Sequence, residues 1–324
     1  MKTIVVFGAT GNQGTAVVQT LLSNETEEQV KVRAFCRNQS GHGFVHLESI
    51  VDKPQSLECI QGDVLKSQNT TVALQNADCV VLILQPSAFS DDLDDASRTE
   101  TEVGQRIVRE ALSAGVKDFV YSSVCCAGCD SSVPHFWSKK LIEDEIEKNR
   151  TLFRSAQIVR PTWFFENFDI IPPVRDRIQR EKVFALPLPK NVSLPAVSSE
   201  DVGACLAKCA LAPRLLEHHN NIIELCAELI SPEEMANQCG FSYEQCDPSV
   251  FPIGYQNMFK LYEEQRVHPS IIDTLKLLPN SMEFKKFAQL QYPARDLKTM
   301  EHAEQRYVSA AGLSALSEEP GANV

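Results

Sequence analysis

Lys2-Thr3-Ile4-Val5-Val6-Phe7-Gly8-Ala9-Thr10-Gly11-Asn12-Gln13-Gly14 decides how the rest of the chain is read. The β-branched apolar run of residues 2–7 reads as a buried parallel strand. It breaks at once into glycines, and residues 15–22 continue at helical spacing. Strand, glycine turn and helix form the first half of a dinucleotide-binding βαβ unit. Gly8 permits the tight turn, Gly11 lets backbone approach a pyrophosphate, and Gly14 lets the helix lie close on the strand. The amides of Asn12, Gln13 and Gly14 then point out of a helix N-terminus, where a phosphate is favoured. With Thr10 in the same loop, these are the candidate pyrophosphate-binding residues.

The 324 residues suffice for one large α/β domain or two smaller ones. Hydrophobic content of 43% and charged content of 23% fit a soluble globular protein. The net charge of −12 argues against general affinity for nucleic acid or anionic membranes. No apolar stretch is long enough to span a bilayer, and the short N-terminal run does not read as a signal peptide. A cytoplasmic location follows as the expectation, with the nucleus added if the protein is a regulator. The Asn-x-Ser/Thr triplets at Asn24, Asn38, Asn69 and Asn191 are then expected to be unmodified. Eleven scattered cysteines read as reduced thiols rather than a disulfide framework.

Outward from the opening stretch, residues 30–36 form a second strand ending in Cys36-Arg37-Asn38. An acidic residue here would hold a ribose 2′-hydroxyl, whereas the planar donor fork of Arg37 suits a 2′-phosphate. The reading is NADP(H) over NAD(H). A third strand at 57–60 ends at Asp63, placed either against adenine or as a simple turn aspartate. A short helix at 71–76 and a fourth strand at 78–84 follow, with Gln85 at the strand's carboxyl end beside the expected cleft. The run Asp91-Asp92-Leu93-Asp94-Asp95 reads as a solvated loop opening a helix at 98–114. Strand five, at 116–123, ends at Ser122-Ser123. Cys126-x-x-Cys129 has no second Cys/His pair at zinc spacing, so the expectation is no metal and a loop of reduced thiols. Helix five starts near Pro134-His135, placing His135 and Lys139 on one face. Strand six, at 155–160, runs into Trp163-Phe164-Phe165-Glu166-Asn167-Phe168, read as lining the nicotinamide side of the cleft, with Phe164 and Asn167 as candidate contacts. Later signals are a helix at 202–211, a strand at 222–226, a capped helix start at Ser231-Pro232-Glu233-Glu234, and core positions Met258, Leu261, Tyr262 and Val267. Residues 313–324 read as a disordered tail.

GATGNQG, RAFCRN, QGD, YSS, HFWSK, PTWFFENF and the Asp201-Val202-Gly203 helix occur here in the order that resembles the NmrA-like family of atypical short-chain dehydrogenase/reductases. The resemblance extends over residues 1 to about 290. It implies a Rossmann-type, doubly wound parallel sheet with a smaller α/β C-terminal domain. The expected division is 1–165 for the NADP-binding domain, also receiving later segments such as 191–212; 166–300 for an interleaved substrate or partner domain; and 301–324 for a flexible tail. It also implies NADP(H) held by Gly11, Asn12, Gln13, Gly14 and Arg37. Typical relatives carry Tyr-x-x-x-Lys on helix five; here it is His135-x-x-x-Lys139, which leaves the proton donor in doubt.

Two functions stay open. In an NADPH-dependent oxidoreductase, Lys139 binds the nicotinamide ribose while Ser122, Ser123 or His135 polarises a carbonyl or conjugated double bond. In an NADP(H) redox sensor the same residues hold the cofactor and a regulatory protein reads the state. The aromatic segment 163–168, read as a small-molecule pocket, tilts the expectation to the oxidoreductase. A homodimer is left open, and direct nucleic-acid or membrane binding is not expected.

Overall fold

The computed structural model describes residues 1–23, 25–267, 269, 274 and 276–292. Asn24 and the tail beyond 292, including 301–324, lie outside the described residues. Seven parallel strands form the main sheet: β1 (Lys2–Phe7), β2 (Val30–Cys36), β3 (Leu57–Gln61), β4 (Cys79–Ile83), β5 (Asp118–Ser122), β6 (Ser155–Pro161) and, from much later in the chain, Ile222–Leu225. Their spatial order is 3-2-1-4-5-6 followed by that late strand. The order reverses between β1 and β4, where Phe7 pairs with Leu82. In open α/β sheets a ligand crevice forms at such a reversal.

β4, at the centre of the sheet, is apolar and buried throughout because helices cover both faces. On one face, α1 (Asn12–Leu21) and α2 (His42–Ile50) pack with the helix Ser199–Leu211 over Ile4, Val6, Val81 and Val120. On the other, α3 (Ser67–Leu74), α4 (Leu93–Ser113) and α5 (Pro134–Lys148) cover Val5, Phe7, Val80, Phe119 and Tyr121. A separate apolar core forms largely from residues 163 onward, with Cys125, Cys126, Val133 and Phe136 joining it, around Trp163, Phe165, Phe168, Phe184, Met258 and Phe284. It unites a three-stranded sheet (Trp163–Phe164, Leu194–Val197, Glu228–Ile230), a two-stranded parallel pair (Val183–Leu186, Ser242–Gln245) and the helix Ile253–Glu263.

Several elements depart from expectation: α3 spans Ser67–Leu74 rather than the expected 71–76, and the helix expected at 202–211 begins at Ser199. α4 begins five residues early, because Asp92 accepts from the Asp95 amide at 2.8 Å and so caps the helix. The acidic run is therefore a helix start, where carboxylates meet the positive end of the dipole, and not a loop. The strand Ile222–Leu225 pairs with β6, Ile222 opposite Ile158, and thus extends the main sheet. No local signal in its four residues announces that partner. The Ser231 capping box is present, and Met258, Leu261, Tyr262 and Val267 are buried.

Candidate functional site

The loop 8–14 stands at the sheet's reversal point. Gly8 has φ +77°, and a Cβ there would lie 2.5 Å from the Ile83 carbonyl. A Cβ on Gly14 would lie 2.0 Å from the Gly8 carbonyl, so these two glycines are demanded by the turn itself. Gly11 differs. Its φ of −84° is ordinary, and a Cβ would meet only the Gly8 carbonyl, at 3.5 Å. The protein's own packing leaves that space open, as a dinucleotide approaching the backbone requires. Gly11, the N-cap of α1, has no side chain to cap the helix, and among the described residues no side chain accepts from the first-turn amides. The Gln13 side chain is turned inward and accepts from Ser122 Oγ at 2.6 Å, locking the loop to β5. Only its main chain can serve a phosphate. Thr10 packs toward α2, where its Cβ is the nearest atom to a Cβ built on Gly43, 3.1 Å away.

The ends of β2, β3 and β4 flank the loop. Arg37 is exposed directly after β2 and has no ion-pair partner among the described residues. Asp63 Oδ1 accepts from the Leu65 amide at 2.9 Å, a turn-forming bond that occupies one carboxylate oxygen. Gln85, exposed after β4, donates to Ser87 Oγ at 3.0 Å.

At β5 and α5 the arrangement corrects several expectations. Lys139 is buried: its Nζ donates to the Leu84 carbonyl at 2.7 Å and to Glu100 Oε1 at 2.6 Å. The other Glu100 oxygen accepts from Ser138 Oγ at 2.6 Å. Lys139 is therefore a neutralised ion-pair partner with one of its three donors uncommitted, not an isolated positive charge. Sequence reasoning missed Glu100. The available signal was an acid on the apolar stripe of α4, three residues before Val103 and seven before Ile107.

Ser123 Oγ donates to Glu143 at 2.6 Å, and Arg160 grips the same carboxylate with Nε at 2.9 Å and Nη2 at 2.6 Å. Its hydroxyl is thus spent inside the fold, and Ser122 is spent on Gln13. His135 is packed among apolar side chains. Its Nε2 faces Met258 Sδ at 3.4 Å, and its ring packs on Phe136 and Tyr255 at centroid distances of 4.9 and 4.8 Å. Burial first, and the Lys139 charge second, lower its pKa to about 3. The imidazole is neutral near pH 7, contrary to the expectation of an acid at neutrality. Tyr121 lies on the Lys139 side, 5.9 Å from Nζ to ring centroid, and its buried hydroxyl has no partner among the described residues. Burial raises its pKa well above the usual tyrosine value.

The aromatic segment is mostly core. Trp163 packs against Phe259 and Tyr262, Phe165 against Phe284 and Phe287, and Phe168 stacks on Phe184 at 4.1 Å. Only Phe164 and Asn167 stay half-buried, so the segment as a whole is not a pocket wall. The thiol expectation for the β5–α5 loop is likewise corrected, because Cys126 and Cys129 are joined in a disulfide.

Three comparisons bear on this arrangement. The model of the NmrA-like family matches residues 1–245. The NmrA-like family domain-containing oxidoreductase ptmS of Penicillium ochrochloron is 32% identical over 174 residues, covering 52% of this chain and 48% of the relative. The chain thus spans about half the length of the first curated relatives it matches. Among solved structures, the Citrobacter sp. triphenylmethane reductase complexed with NADP(H) superimposes with a TM-score of 0.68 at 16% identity, over 90% of this chain and 99% of that one. NmrA, a negative transcriptional regulator in complex with NADP, superimposes with a TM-score of 0.65 at 18% identity, over 92% and 99%. At such identities the structures establish a shared fold.

Proposed function

We propose, from the premise that this chain belongs to the NmrA-like family, that it binds NADP(H) and reduces a small electrophile needing no acid from the protein. The observation that carries the binding is Gly11: space for its Cβ is left open beside the helix N-terminus, where a dinucleotide would approach the backbone. The first-turn amides of Asn12, Gln13 and Gly14 would hold the pyrophosphate, and the unpaired Arg37 fork the 2′-phosphate. When bound, the nicotinamide supplies a hydride.

The restriction on substrate comes from what the chain withholds. His135 is neutral and half-buried against Met258 and Tyr255, Ser122 and Ser123 donate to Gln13 and Glu143, and the Lys139 charge is balanced by Glu100. A simple ketone needs a proton on its developing alkoxide. Quinones, conjugated double bonds and cationic acceptors instead give anionic or neutral adducts that water can protonate or that need no proton. In keeping with a reductive role, the relatives include an NmrA-like oxidoreductase and a triphenylmethane reductase complexed with NADP(H). The test is loss of NADPH absorbance with a quinone, an enone, a cationic dye and a simple ketone. The expected outcome is turnover with the first three classes, none with the ketone, and rates unchanged in His135→Gln. Ketone reduction lost in that variant would overturn the reading.

A second reading draws on the same Glu100–Lys139 pair: a site with its lysine neutralised also suits a protein that holds NADP(H) without turnover and signals to a protein partner. Failure of every acceptor, with NADP(H) binding intact, would select it.

A further inference from the structure

We infer that Cys126–Cys129 is a reversible disulfide which external thiols open by attack on Cys129, loosening the β5–α5 loop that the ring closes. The two residues are three apart with Cα atoms 5.3 Å apart. They differ in access: Cys129 is exposed and Cys126 buried. The remaining nine cysteines are buried or half-buried, and burial pushes the Cys59 and Cys79 thiols up to about 12. Of the two disulfide sulfurs, that of Cys129 is the one a thiolate from solution can reach.

The loop is held against the end of the helix from one side. Asn257 Nδ2 donates to the Ser132 carbonyl at 2.9 Å. Arg266 Nη2 donates to the Cys129 carbonyl at 3.3 Å, with Nη1 3.7 Å from Asp130. The Arg266 carbonyl lies 3.5 Å from Cys126 Sγ. A disulfide sulfur has no hydrogen to give that oxygen, whereas the reduced thiol does. The buried sulfur thus has an acceptor waiting for its reduced form. Cys126 itself sits at φ +64°, a left-handed conformation uncommon for a residue with a side chain, and the closed ring holds it there.

The step balances without any group the protein lacks except the thiol. A thiolate attacks Cys129 Sγ, a mixed disulfide forms, and Cys126 leaves as a thiolate that takes a proton from solvent. A second thiolate attacks the small-molecule sulfur of that mixed disulfide, freeing Cys129. Two thiols are oxidised to one disulfide, and the protein disulfide gains two electrons and two protons.

The test uses the full chain, iodoacetamide trapping and peptide mass spectrometry. In thiol-free buffer both residues are expected to resist alkylation; in reduced glutathione both become alkylated together while the protein stays folded. Hydrogen exchange in residues 124–133 should then rise. Given oxidised glutathione, Cys126→Ser protein should capture glutathione at Cys129 at least tenfold faster than Cys129→Ser protein captures it at Cys126. Alkylation of both residues before thiol is added would overturn the proposal. So would a bond that survives glutathione until the protein unfolds, an exchange rate that does not change on reduction, or equal capture at the two positions.

Discussion

Glu100 and Lys139 hold opposite charges 2.6 Å apart inside the protein, with Glu100 fully buried. Such a pair contributes little net stability over apolar residues of the same volume, yet breaking it leaves a charge without a partner. Glu100→Ala should therefore cost about 3–5 kcal/mol in urea unfolding at neutral pH. The double variant Glu100→Leu with Lys139→Met should recover most of that loss. A single-variant cost below about 1 kcal/mol would mean that the charge finds water instead. His135 gives a second prediction through its pKa of about 3. The unfolded chain takes up a proton near pH 6.5, and the folded chain refuses it until far lower. This contribution is complete above pH 6.5 and is lost as pH falls through the interval down to about 3. Relative to His135→Gln, wild-type stability should fall by about 1.4 kcal/mol for each unit below pH 6, with no divergence above pH 7. Parallel stability curves would show that the ring is protonated in the fold.

At the scale of the turn and its helix, Gly11 and Gly14 predict opposite outcomes for the same change. Gly11→Ala adds a methyl into open space, so stability should stay within about 0.5 kcal/mol while NADPH affinity drops at least tenfold. Gly14→Ala drives Cβ to 2.0 Å from the Gly8 carbonyl, and its cost should appear in unfolding even without cofactor. Equal effects of the two changes in both assays would remove the distinction. This loop is legible in sequence because glycine spacing, flanking strand and helix are all local. The helix Pro134–Lys148 is legible for the same reason, with proline marking its first turn. What governs the site beyond the loop is not local. Gln13 meets Ser122 across 109 residues, and Lys139 meets Glu100 across 39. A residue list shows the serines, the histidine and the lysine, but not the partners that commit their donors. The aromatic run fails for a related reason: strand alternation and a tight turn send Trp163, Phe165 and Phe168 into a core built largely from residues beyond 180.

Across the whole molecule, the main sheet gathers strands from residues 2 to 225, and the helix Ser199–Leu211 packs back against α1. A ligand on the α1 loop therefore touches structure supplied by distant parts of the chain. Binding only to the folded state stabilises it by mass action, about 2.7 kcal/mol at one hundred times Kd. Thermal unfolding should shift upward with NADPH in wild type and less in Gly11→Ala, the stabilisation falling by about 1.4 kcal/mol for each tenfold loss of affinity. The central claim, that the loop and Arg37 form an NADP(H) site, is tested most directly by calorimetric titration of NADPH and NADH into wild-type and Arg37→Glu protein. The account predicts one NADPH per chain, NADH at least tenfold weaker, and that preference abolished in Arg37→Glu. A preference unchanged by the substitution would remove Arg37 from the site, and the absence of any heat of binding from either nucleotide would contradict the account altogether.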